Sequence, residues 1–174
     1  MATSTALLQQ KNAKHLIQSF SDLSYINNPE STHIISKADG VYIYDNDGKK
    51  ILDSMSGLWC VNMGYGQQSI IDAVNKQMKE LVYYNNFFGS SHPSAIKLSE
   101  MIADKTPEGM NKVYFCGSGS EANDTVVRLA RHYWAARGKP SKSVIISRTN
   151  AYHGSTMAGA SLGGMSAMHA QGGL

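Results

Sequence analysis

The order of residues 113–147 constrains this chain more than any other stretch. Val113-Tyr114-Phe115-Cys116 is a short apolar run, Gly117-Ser118-Gly119-Ser120 is a turn, and the residues from Glu121 to about Arg137 read as a helix closed by Gly138 and Pro140. Val144-Ile145-Ile146-Ser147 is a second apolar run. Strand, helix and strand in succession make a βαβ unit, which predicts an α/β architecture with a largely parallel sheet. Such sheets are covered on both faces. Two strands supply half a sheet at most, and the tail 158–174, rich in Gly and Met and ending in Gln-Gly-Gly-Leu, offers no further strand, so the sequence reads as cut off. At 174 residues the chain still suffices for an ordinary domain without a disulfide or metal staple.

Upstream, Leu7, Leu8, Leu16, Ile17 and Phe20 recur at loosely helical spacing, predicting a short amphipathic helix from Ala6 to Phe20. Val41-Tyr42-Ile43-Tyr44-Asp45 and Lys50-Ile51-Leu52-Asp53 are strand-like runs joined by Asn46-Asp47-Gly48-Lys49, and the Asp-Gly pair signals a hairpin because Gly tolerates positive φ. The Gly-punctuated segment 55–66 shows neither period and reads as a structured loop. Helices follow at Gln67 to Leu81, with Ile70, Ile71, Val74, Met78 and Leu81 on one face, and at Pro93 to Lys105, where Pro suits a first turn. No internal repeat or low-complexity tract interrupts this order.

Charge narrows the function classes. Lys and Arg number 16 against 13 Asp and Glu, a net charge of +3 scattered along the chain, which argues against nucleic acid or a membrane surface as the main partner. Charged residues make up 17% of the chain, below the roughly 25% usual for a soluble domain, which implies that much of the outer surface faces protein. Cys60 and Cys116 lie far apart in apolar surroundings and suggest no disulfide framework, in keeping with a cytoplasmic setting. No stretch approaches the ~20 apolar residues needed to span a bilayer. Lys11, Lys14 and His15 break up the leader, which has no secretory core and no Arg. The six histidines show no metal-ligand spacing, and G-x-S-x-G is absent.

The turn at Gly117 to Ala122 carries the sharpest chemical signal. A strand-to-helix turn presents unpaired backbone N–H groups and a partial positive charge, and glycines let an anion approach, so phosphate is the expected guest. Two other readings stay open. Ser118 and Glu121 fit the S-x-x-E capping box, which needs no ligand. The same six residues spell G-x-G-x-x-A, the dinucleotide fingerprint, but the next strand ends in Ser147-Arg148-Thr149 rather than in an acidic residue. That disfavours NAD and leaves an NADP-binding oxidoreductase, with Arg148 on the phosphate, as the rival enzyme. A non-catalytic dimerisation fragment is the third reading. Tyr152 and His153 follow the second apolar run, on the sheet edge where α/β ligands bind, and an aromatic ring there can stack on a planar heterocycle. Trp59, Tyr84, Phe87 and Phe88 sit in Gly- and Asn-rich settings that suggest loops rather than packed elements.

Five ordered motifs resemble one family. Asp53-Ser54-Met55-Ser56-Gly57-Leu58-Trp59 through Gly66, Phe87-Phe88 before His92-Pro93, Ser118-Gly119-Ser120-Glu121-Ala122-Asn123-Asp124, Ala151-Tyr152-His153-Gly154-Ser155-Thr156, and 159–164 together resemble class III aminotransferases dependent on pyridoxal phosphate. The nearest likeness is to the ω-amino acid/amine:pyruvate branch, and it covers the chain from about Phe20 onward. The resemblance implies the pyridoxal-phosphate transferase fold of type I, with 1–60 as a segment of the small domain and 61–174 as the first part of the large cofactor-binding domain. It implies that Gly119 and Ser120 hold the cofactor phosphate, that Tyr152 stacks on the pyridine ring, and that His153 supports the acidic partner of the ring nitrogen. It implies that Leu58 and Trp59 line the substrate pocket, that Phe87 and Phe88 are lent across a homodimer interface, and that Phe20 closes the entrance. The substrates would be an amine and a keto acid. Gly117 departs from the family, where Asn is frequent. The Lys that forms the Schiff base and the acidic group opposite the ring nitrogen belong downstream in such proteins, and residues 155–174 contain no Lys, Arg, Asp or Glu, so the chain reads as an N-terminal portion.

Overall fold

Asp45 begins the tightest local structure of the chain. Its carbonyl accepts from the Gly48 N–H (3.0 Å), its carboxylate accepts from the Asp47 and Lys49 N–H groups (3.1 and 2.8 Å), and Gly48 alone in this turn takes positive φ (87°). The turn joins β2 (Tyr42–Asp45) to β3 (Lys50–Leu52) with Tyr42 opposite Leu52 and Tyr44 opposite Lys50, as the Asp-Gly signal predicts. A third strand, β1 (Ile35–Asp39), pairs antiparallel on the far side of β2, giving the order β1-β2-β3. The structure, a computed structural model, describes residues 3–171. Met1, Ala2 and the terminal Gly172-Gly173-Leu174 of the Gly-rich tail lie outside the described residues.

The chain forms two compact units, residues 1–90 and 91–174. The first holds the sheet, α1 (Thr5–His15), α2 (Leu23–Ile26), a 3-10 turn (Pro29–Ser31), a one-turn segment α3 (Ser56–Trp59) and α4 (Gln68–Glu80). Ser4 and Asp22 cap α1 and α2 by accepting from the N–H groups of Leu7 and Ser24. Helix α1 is shorter than the spacing of its apolar residues predicts, because Leu16 turns extended and leaves Ile17 and Phe20 outside it. Its N-terminus is tied to the hairpin instead: Thr5 Oγ1 donates to Asp47 (2.6 Å) and Asn46 Nδ2 donates to Thr5 (2.9 Å). The expected loop at 55–66 contains α3, a turn of unusual hand described below.

The second unit holds α5 (Pro93–Ala103), α6 (Gly119–Ala136), α7 (Met157–Leu162) and α8 (Ser166–His169). Pro93 occupies the first turn of α5, as its fixed φ favours, and His92 Nδ1 accepts from the Ala95 N–H. Helix α6 ends where Gly138 takes φ 72°, a left-handed stop that only glycine adopts freely. It packs on α7, and Val127 of α6 and Ala160 of α7 are the buried apolar side chains of this unit among the described residues.

The two runs expected as parallel strands, 113–116 and 144–147, do not form strands here. A strand exists only through its ladder, and among the described residues neither run has a neighbouring strand to pair with. Their apolar side chains are correspondingly uncovered: Val144 and Ile146 are 84% and 92% exposed. The Arg131 Nε–H, donating to the Ser143 carbonyl (3.0 Å), keeps the second run beside α6 all the same.

Candidate functional site

Helix α6 starts on Ser118, whose extended backbone (φ −156°) lets its hydroxyl accept from the Glu121 N–H at 3.2 Å. The cap therefore forms, but it satisfies only part of the helix start. The N–H groups of Gly119 and Ser120 have no hydrogen-bond acceptor among the described residues, and a Cβ placed on Gly119 would meet nothing within 4 Å. Two free donors in an open first turn, at the positive end of a helix of 18 residues, fit an anion such as a phosphate.

The segment that follows the second apolar run is stapled to this turn. Ser120 Oγ accepts from the Ser155 N–H (3.1 Å), so its own proton remains available to a ligand. Asn123 Nδ2 donates to the His153 carbonyl (2.6 Å), and Asp124 accepts from Thr156 Oγ1 (2.6 Å) and the Gly159 N–H (3.1 Å). Ser120, Asn123 and Asp124 lie three and four residues apart, so one face of α6 does all of this. Gly154 makes the closest approach: at φ 127° it is buried against Ser120, and a Cβ there would lie 2.8 Å from the Ser120 Cα. Gly119, Ser120, Tyr152 and His153 are thus gathered on one short stretch of surface, with Tyr152 54% exposed and His153 half-buried. Asn123 and Asp124 were not singled out as site residues from sequence; their helical spacing from Ser120 was the signal that could have found them.

The remaining candidates lie in the first unit. Leu58 and Trp59 sit on α3, where Ser56, Gly57, Leu58 and Trp59 have φ of 48°, 58°, 67° and 63°, so the turn is left-handed. It is closed by bonds from the Trp59 N–H to the Met55 carbonyl (2.8 Å) and from the Cys60 N–H to the Ser56 carbonyl (2.9 Å). Leu58 and Trp59 are exposed, as are Phe87, Phe88 and Phe20. The Phe87 and Phe88 rings lie 6.0 Å apart at 43° above a turn in which Asn85 accepts from the Phe87 N–H. Six non-glycine residues of the described chain take positive φ, and four of them are Phe20, Leu58, Trp59 and Phe88. Strained backbone of this kind persists where function keeps it.

Asp53 closes the turn from below. Its Oδ2 accepts from the Gly57 N–H and from the Tyr65 hydroxyl, both at 2.8 Å. The Tyr65 hydrogen bond, helped by the N–H groups of Gly57, Met55 and Ser56, holds the Asp53 carboxyl below the usual carboxylate range against the effect of partial desolvation. The same bond, with desolvation and the nearby negative charge, pushes the Tyr65 phenol up. No group of three or more His, Cys, Asp and Glu among the described residues is placed to hold a metal ion, and no helix among them is long and apolar enough to cross a membrane.

Comparison with known proteins places this geometry in a family. The family model for class-III aminotransferases matches residues 25–173. The putrescine–pyruvate aminotransferase of Pseudomonas aeruginosa is 55% identical over 164 residues, which is 94% of this chain and 36% of that protein. A crystal structure of a transaminase from the marine bacterium Virgibacillus superposes with a TM-score of 0.91 at 40% identity, covering 96% of this chain and 38% of that one. A thermostable omega transaminase carrying a tryptophan-to-glycine substitution, engineered for asymmetric synthesis of enantiopure bulky amines, gives 0.88 at 37% identity over 92% of this chain and 36% of its own. The chain spans between 27% and 36% of the length of the curated relatives it matches. These matches give the dinucleotide-binding oxidoreductase reading no support. The stapled helix start and the backbone path shared with solved transaminases therefore have one explanation: the chain belongs to the class-III aminotransferases, a pyridoxal-phosphate-dependent family of fold type I.

Proposed function

We propose that this chain supplies the phosphate cradle, the stacking side of the cofactor site and part of the substrate pocket of an aminotransferase that moves an amino group from an ω-amino acid or primary amine to pyruvate. The observation that carries the reading is the pair of open N–H groups at Gly119 and Ser120, held beside Tyr152 and His153 by the Ser120, Asn123 and Asp124 bonds. When bound, pyridoxal phosphate supplies the electron sink that lets a C–H bond next to the amine ionise. The chain's own residues bind and orient. Gly119 and Ser120 donate to the phosphate, Tyr152 stacks on the ring, and His153 supports the acidic partner of the ring nitrogen. Leu58 and Trp59 line the pocket, with Phe20 at its entrance. The putrescine–pyruvate activity named for the Pseudomonas aeruginosa relative supports the donor and acceptor classes, and the engineered tryptophan of a second relative supports a sorting role for Trp59.

The same proposal includes a homodimer that shares Phe87 and Phe88, a cytoplasmic setting, a small-domain segment at 1–60 and a large-domain portion at 61–174. In the holoenzyme, Ser120→Ala removes one charge-assisted hydrogen bond and lowers affinity for pyridoxal phosphate by about 10- to 100-fold. Absorbance titration reads this directly. Borohydride reduction followed by peptide mapping is expected to find no specific lysine adduct within residues 1–174. Unchanged affinity in the variant, or saturable binding of NADPH in place of pyridoxal phosphate, overturns the reading.

A further inference from the structure

The left-handed turn needs support that its own sequence does not provide. A left-handed conformation costs roughly 1–2 kcal/mol per non-glycine residue, and α3 contains three such residues, Ser56, Leu58 and Trp59. No residue from 56 to 60 is buried, so apolar packing among the described residues does not hold it. A hollow of about 240 Å³, lined by Gly40, Asp53, Ser56 and Tyr65 among others, lies directly beneath. Besides the turn's own backbone bonds from Trp59, Cys60 and Val61, the side-chain support is polar: the Asp53 carboxylate, which accepts from the Gly57 N–H and from the Tyr65 hydroxyl.

Both ends of this knot are fixed to the sheet. Asp53 follows β3 directly, and its N–H donates to the Val41 carbonyl at 3.0 Å. Tyr65 is bridged to Gly40 in both directions, its N–H donating to the Gly40 carbonyl (2.7 Å) and the Gly40 N–H donating to its own (3.3 Å). The turn is therefore the one part of the knot not built on the sheet. Gly57 is the residue the knot can accept there, since a Cβ would lie 2.8 Å from Val61 Cγ2 and 3.0 Å from the Tyr65 hydroxyl.

We propose that Asp53 and Tyr65 are positioning residues whose shared hydrogen bonds lock α3 in its left-handed form and thereby set the size selectivity exerted by Leu58 and Trp59. The inference rests on the reading that Leu58 and Trp59 line the substrate pocket, and it adds what keeps them in place. The Tyr65 hydrogen bond, which lowers the protonation tendency of Asp53, keeps the lock's acceptor ionised to more acidic pH than an ordinary carboxylate.

The test uses the holoenzyme with a linear diamine and a bulky arylalkylamine as paired substrates. Tyr65→Phe removes the outer donor and Asp53→Ala removes the acceptor. Each is expected to reduce the ratio of kcat/KM between the two amines by about tenfold, an effect of about 1.4 kcal/mol, carried by KM for the bulky amine more than by kcat. Asp53→Asn, which keeps an acceptor oxygen, is expected to recover part of the ratio. Hydrogen exchange at the amides of residues 56–60 is expected to speed up in Tyr65→Phe and Asp53→Ala, a change read without turnover, while affinity for pyridoxal phosphate confirms an intact fold. Trp59→Ala separates the two claims. Unaltered selectivity in Trp59→Ala overturns the pocket reading, and altered selectivity there with unaltered selectivity and hydrogen exchange in Tyr65→Phe and Asp53→Ala overturns the lock alone.

Discussion

The first turn of α6 and the Ser56–Trp59 turn are both short bends that carry the residues assigned to ligand contact, yet they are held in opposite ways. The α6 turn is right-handed and relaxed, capped by Ser118 and bonded along one face to the segment that bears Tyr152 and His153. The Ser56–Trp59 turn is left-handed at every residue and, beyond its own backbone bonds, is held by the Asp53 carboxylate. Strain follows the same division: five of the six non-glycine residues at positive φ lie before residue 90, and only Asn150 lies after it. Binding an anion asks nothing unusual of the backbone, because the end of any well-formed helix already offers donors and charge. Presenting bulky apolar side chains to a substrate of particular shape asks the chain to take conformations it would otherwise avoid.

Three substitutions sharpen or break this contrast. Gly154→Ala has the largest expected effect, because the added Cβ would strike Ser120 Cα and Cβ, both at 2.8 Å, on a backbone at φ 127°. Prising the segment from the helix is expected to cost about 3 kcal/mol in thermal unfolding and to weaken pyridoxal phosphate binding in step. Equal stability and affinity in this variant would show that the cradle is not built on close backbone contact. Leu58→Gly is expected to go the other way. Relief of left-handed strain outweighs the added freedom of the unfolded chain, so chemical denaturation should report stabilisation of about 0.5–1 kcal/mol, and a loss of that size would remove strain from the account of α3. Ser118→Ala is the mildest, a local cost of about 0.5 kcal/mol seen as faster hydrogen exchange in the first turn of α6 with none in α3.

What could be read from the residues follows from how local each cause is. Asp47-Gly48 gave away the hairpin, the apolar stripe of 67–81 gave away α4, and Pro93 and the Gly138/Pro140 stop marked the start of α5 and the end of α6, because turn chemistry and helical period act over a few neighbours. Strand β1 escaped notice, since Ile35-Ser36-Lys37-Ala38-Asp39 shows little alternation and pairs on one side only. The short helices α7 and α8 lie in a Gly- and Met-rich tail without a clear period, and the strands at 113–116 and 144–147 failed for want of partners rather than propensity. Gly119 and Ser120 could be nominated because a strand-to-helix turn has recognisable chemistry, and Tyr152 and His153 because they follow the second apolar run and match the family's motif. The hand of α3 could not, because the bonds by which Asp53 joins Gly57 to Tyr65 are announced by nothing in the spacing of residues.

The face of α6 formed by Ser120, Asn123 and Asp124 has a consequence for redesign. In the proposed reading one rigid rod would carry the phosphate donors at its tip and, along its side, the tethers of the segment that follows Tyr152, so the pitch of the helix would set the span between headgroup and ring. An analogue with a longer arm between those two parts could not be accommodated by loosening a loop. It would require re-spacing the tethers along the helix.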